Sequence, residues 1–136
     1  NGGGRATETV RYADIVSFTC LKAFAYDQRF ERKDAHDLVY CIEHHDCGIE
    51  AAHEAFHRAL EGKHGDVIRE ALARLTTRFC DPDPNESYLR DGPVAVARFE
   101  DDDANVDADE ELRNARILRQ RHAADVMSAF LGPWLR

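Results

Sequence analysis

The chain has 136 residues and a formal net charge of −8. That length suits one domain around one core rather than two, and 43% apolar with 32% charged residues reads as a soluble, mostly ordered chain. The acidic balance argues against an independent nucleic-acid binder, because it offers no general attraction to phosphate, and no apolar run approaches the roughly 18 residues of a membrane span.

Residues 1–8 are Gly-rich and polar and read as a linker or tail ahead of a helical domain over 9–136. The opening Asn1-Gly2-Gly3-Gly4, without an initiator methionine, reads as a processed product or a piece of a longer protein. Thr9 to Tyr12 has modest strand character. Asp14 is placed to cap a first helix over 14–28, apolar nearly all round and therefore expected to be the central, most buried element. Arg29 to Lys33 form a turn into a second helix over 33–46, which Gly48 should end as a left-handed cap.

A third helix is expected over 49–62, through Ala52, Ala55, Phe56, Ala59 and Leu60. The fourth, over 66–79, carries Val67, Ile68, Ala71, Leu72, Leu75 and Phe79 at the three-to-four spacing of an amphipathic helix. Asp81-Pro82-Asp83-Pro84-Asn85 then forbids helix and starts a long loop. Pro93 to Phe99 alternates like one short strand or extended segment. Glu100 to Asp107 reads as an acidic, solvated loop. A last helix over 108–131 uses Leu112, Ala115, Leu118, Val126, Met127, Phe130 and Leu131 before Gly132-Pro133 stops it. The expected fold is mainly α: about five helices in an irregular bundle with one or two short extended segments.

Four cysteines, Cys20, Cys41, Cys47 and Cys80, follow no signal peptide, and Cys20 and Cys41 lie inside helical patterns. They read as reduced, mostly buried thiols of a cytoplasmic protein.

Charges interrupt the helical faces in one place. At about 100° per residue, Ile15, Phe18, Lys22, Ala25 and Arg29 share a narrow stripe, so a lysine and an arginine sit on an apolar face. Asp34 and Asp37 share a face of the next helix, beside Ala35, Leu38, Val39 and Ile42. Such basic and acidic pairs, joined by a turn, either hold each other or hold a ligand. Asp34 also suits the dipole of its own helix.

The run Lys22-x-x-Ala25, Arg29, then Arg32-Lys33-Asp34-Ala35-x-Asp37-Leu38-x-Tyr40 resembles the helical signature of the AbiEii-type nucleotidyltransferase-like proteins, toxins of bacterial toxin–antitoxin and abortive-infection systems. The resemblance covers about 25 residues closely. It implies that the chain is the C-terminal helical portion of a protein that moves a nucleoside monophosphate from an NTP to an RNA or protein acceptor. Lys22, Asp34 and Asp37 would be its catalytic residues here, and Arg29 and Lys33 its phosphate contacts. Mg²⁺ and NTP would belong to the intact protein, and the isolated fragment is expected to hold neither. The implied partners are an N-terminal α/β domain, which carries the Gly-Ser-type motif and further acids absent from this chain, together with an antitoxin and an RNA acceptor. A homodimer of the fragment, through an apolar face of the first helix, is the remaining partner expectation.

Two other readings stand beside it. One is a catalytically inert helical interaction module, in which the charges are an ordinary salt-bridged hairpin. The other is a zinc hydrolase, because His53-Glu54-Ala55-Phe56-His57 satisfies H-E-x-x-H, with His53 and His57 as ligands and Glu54 as base. Its longer form fails, since Leu60 and Lys63 occupy the glycine and third-histidine positions. Cys41, His44, His45 and Cys47 form a further cluster, but a continuous helix supplies too few of the four ligands that structural zinc takes.

Overall fold

The structure is a computed structural model and describes residues 14–101 and 109–135. Those residues form α1 (Ile15–Arg29), α2 (Arg32–Glu43), α3 (Gly48–Leu60), α4 (Gly65–Phe79), a 3₁₀ segment (Pro84–Leu89), α5 (Asp91–Glu100), α6 (Glu110–Leu131) and a closing 3₁₀ turn (Gly132–Trp134). The mainly helical class agrees with the sequence. The helix count exceeds five, and no extended segment occurs among the described residues. The expected linker over 1–8, the strand at Thr9 to Tyr12 and most of the acidic loop lie outside the described residues.

Helix starts follow ordinary capping. The Asp14 carboxylate accepts from Ser17 N at 2.7 Å, and Asp109 accepts from Glu111 and Leu112, each satisfying amides that the first turn leaves free. α1 ends at Phe30 in the left-handed region (φ 57°), whose N–H donates to the Tyr26 carbonyl. α2 stops at Glu43, three residues short of expectation. Gly48 is left-handed (φ 83°) but opens α3 rather than capping α2, and Cys47 before it is left-handed too.

Pro93 to Phe99 is helix, not strand. Its Val-Ala-Val-Ala alternation is apolar throughout, so it never distinguished two faces. As the third residue of α5, Pro93 also sits where an amide has no intrahelical partner. Small Ala95 and Ala97 flank a fully buried Val96 and let α5 pack closely against α2 and α6. Gly92 makes room for the Phe79 ring, which a Cβ there would approach to 2.7 Å.

The core joins Leu38, Val39 and Ile42 of α2 with Phe56, Leu75, Phe79, Val96, Met127, Phe130 and Leu131. α2, not α1, is thus the innermost element. α1 buries Ile15, Thr19, Cys20, Ala23 and Tyr26, while Leu21 stays 65% exposed. In α6 the expected face also shifts. Leu118 and Ala115 point outward, and Arg116, Gln120 and Ala123 are buried, Gln120 donating to the Tyr88 carbonyl at 3.0 Å.

Candidate functional site

The α1–α2 hairpin brings the predicted charges into one cluster. Lys22 projects from the stripe of α1 that packs on α2, beside the Phe18 ring at 5.7 Å. Its ammonium lies 3.2 Å from Asp34 Oδ1 and 3.1 Å from Asp37 Oδ2. Arg29, one residue before the turn, reaches Asp34 Oδ2 at 2.8 Å. Lys33 reaches Asp37 Oδ2 at 2.8 Å, one helical turn along its own helix. All five expected site residues therefore meet.

The two carboxylates differ in situation. The Asp34 side chain is 3% exposed and both its oxygens are engaged, one by Lys22 and one by Arg29. Asp37 is 20% exposed, with Lys22 and Lys33 sharing Oδ2. Its Oδ1 faces His36 Nδ1 at a long 3.5 Å. Asp34 is the anchor of the cluster, and Asp37 is the acid that faces outward.

Ionisation follows from this geometry. Burial works against the charge on Lys22, but hydrogen bonds to Asp37 and Asp34 outweigh it and hold the ammonium above its ordinary 10.5. Burial likewise pushes the Asp37 carboxyl up, and hydrogen bonds from Lys33, Lys22 and His36 bring it below the ordinary 3.8. Three cations, Lys22, Arg29 and Lys33, thus surround two carboxylates. That leaves a local excess of positive charge on a chain whose net charge is −8.

Behind the cluster runs a second layer that sequence reasoning missed. His36 Nε2 lies 3.4 Å from Glu100 at the end of α5. Arg119 of α6 donates to both Glu100 oxygens at 2.8 Å and reaches Glu43 at 3.4 Å. The Arg119 guanidinium, chiefly, holds the Glu100 carboxyl below its ordinary value. His36 was legible as a neighbour of Asp37, but nothing in the sequence joins position 36 to 100 or 119.

Toward a divalent ion the cluster presents little: both Asp34 oxygens are engaged by cations, and Asp37 has one oxygen, Oδ1, whose only contact is the long one to His36. Among the described residues no group of three His, Cys, Asp or Glu side chains is arranged for a metal.

The H-E-x-x-H residues are placed for packing. His53 Nε2 lies 2.8 Å from the Phe130 carbonyl and 3.1 Å from that of Ala129, satisfying oxygens that the end of α6 leaves free. Its ring stacks on Phe130 and meets Trp134 edge-on, and His57 also contacts Trp134. Glu54 is exposed beside Arg58. In the third cluster, His44 lies against the Tyr40 ring, Cys41 is half-buried and Cys47 is exposed. All four cysteines are free. No described helix is long and apolar enough to cross a membrane. No family model, no curated protein and no solved structure matches the chain.

Proposed function

We propose that this chain is the helical half of a nucleotidyltransferase-like protein of the AbiEii type, with Lys22, Asp34 and Asp37 lining a wall of its nucleotide cleft. The observation that carries the reading is the Lys22 ammonium, held within 3.2 Å of two carboxylates yet still 19% exposed on its side chain. A cation fixed in this way needs no reorganisation when negative charge develops in front of it. In the transfer, an acceptor hydroxyl gives up its proton to solvent as its oxygen bonds to the α-phosphorus, the bond to the β-phosphate oxygen breaks, and pyrophosphate leaves with the electron pair. Lys22 stabilises that charge, Asp34 positions Lys22, and Arg29 and Lys33 meet outer phosphate oxygens. Among the described residues no group of three acidic, His or Cys side chains is arranged for a metal, so the proposal leaves Mg²⁺, with the Gly-Ser-type motif, to an upstream α/β domain. Leu21, one residue from Lys22 and 65% exposed, suits a surface that such a domain covers. A cytoplasmic setting, an RNA or protein acceptor and an antitoxin partner belong to the same proposal, as does pairing of the isolated fragment through α1.

The second reading, an inert interaction module, draws on the saturation of Asp34. Both of its oxygens are already used within the chain, as in a purely structural cluster. Labelled-nucleotide transfer separates the two. The intact protein carries label from an NTP to RNA or protein, and the 136-residue chain alone does not. No transfer by the intact protein with any of the four NTPs leaves the interaction module.

A further inference from the structure

A groove of about 660 Å³ opens where the start of α1 meets the end of α3 and the start of α4. Neither Lys22 nor any residue bonded to it lines this groove, so it is separate from the charged cluster. Its floor is apolar and built from short side chains: Val16, Ala55, Ala59, Val67 and Ile68. Val67 is exposed although it follows the apolar spacing of α4, which marks that face as lacking a cover among the described residues. The lining also includes Arg58, Lys63 and His64. Arg58 has only a loose, exposed contact with Glu54 at 3.7 Å, and Lys63 meets no carboxylate among the described residues. The one acid in the lining, Asp14, is occupied in capping α1.

Size and charge together select the occupant. The groove's volume is that of a small-molecule site, about 300–1,000 Å³. The apolar part of the lining accepts an unbranched hydrocarbon, and its cations, Arg58 and Lys63, suit an anionic head. We propose that this groove binds an acyl carboxylate, with the chain along Val16, Ala59 and Ile68 and the carboxylate between Arg58 and Lys63. The short side chains at Ala55 and Ala59 leave the channel open, and a bulky residue at either position closes it.

Isotope-edited NMR of the full chain tests this with octanoate, decanoate and dodecanoate below their micellar concentrations. Dodecyltrimethylammonium and dodecanol serve as charge controls. Shifts are expected at Val16, Ala59, Val67 and Ile68, with affinity rising several-fold for each two carbons added. Arg58→Glu with Lys63→Glu is expected to weaken dodecanoate by tenfold or more while leaving dodecanol unchanged. Both positions are exposed, so the fold is retained. Ala59→Phe is expected to abolish binding of every chain, and because Ala59 packs against the core its thermal unfolding is followed alongside. Equal affinity for the ammonium and the carboxylate overturns the proposal. So does the absence of shifts in the groove with millimolar dodecanoate, or shifts that survive Ala59→Phe in a folded protein.

Discussion

Asp34 and Asp37 are one helical turn apart, yet one is sealed and the other open, and that difference sets what each substitution does. Removing Lys22 leaves Asp34 with Arg29 alone, a side chain more than half exposed. Lys22→Ala is expected to cost about 1–2 kcal/mol in urea unfolding, below the loss from a fully buried pair because water still reaches the cluster. Lys33→Ala removes an exposed contact within one helix and is expected to cost under about 0.5 kcal/mol. Acid sensitivity has a definite sign. Asp37 and Glu100 have folded-state values below their ordinary 3.8 and 4.5, so the stability they contribute is complete above those values. It is lost as pH falls through the lower folded values. Unfolding free energy measured from pH 6 down to pH 2 should therefore decline below about pH 4.5, and Asp37→Asn should flatten part of that decline. Lys22 has the opposite sense. Its contribution is complete below 10.5 and lost as pH rises through the higher folded value.

At the scale of the element, periodicity located the four N-terminal helices within a few residues, because three-to-four spacing and the Asp14 cap are local signals. The strand expected at Pro93 to Phe99 failed because its Val-Ala-Val-Ala centre is apolar on both faces and carries no period, and the distant Phe79 ring over Gly92 is a contact no local pattern announces. Gly92→Ala should cost about 1–3 kcal/mol in thermal unfolding, as Phe79 gives way. The buried face of α6 was misread for a similar reason. Gln120 looks like a surface residue until Tyr88 is known to supply a carbonyl. The H-E-x-x-H helix gives a contrast within one motif. His53→Ala frees two carbonyls at the end of α6 and removes a stacked ring, for an expected loss of about 1–2 kcal/mol. Glu54→Ala should be neutral within about 0.5 kcal/mol, since its one contact is exposed. A stability loss on Glu54→Ala as large as that on His53→Ala would show that the motif does more than pack.

For the whole molecule, the charges of the α1–α2 hairpin were legible because helical geometry alone puts Lys22 and Arg29 on one side of a short turn and Asp34 on the other. The support behind them was not. Arg119 and Glu100 come from the far end of the chain and meet His36 only in the folded bundle. The bundle thus presents a preformed cation whose acids are held from both helices of the hairpin, beside the exposed Leu21 of α1. A cluster kept only for stability and one kept for transfer respond differently when the Lys22 charge is removed at similar side-chain length: the first loses a modest amount of stability, and the second loses transfer far beyond what that stability loss explains. The most direct measurement is NTP transfer by the intact protein carrying Lys22→Met, read beside its melting temperature. The account predicts at least about a hundredfold loss of transfer, with melting within a few degrees of wild type. Transfer at the wild-type rate in that folded variant would contradict it.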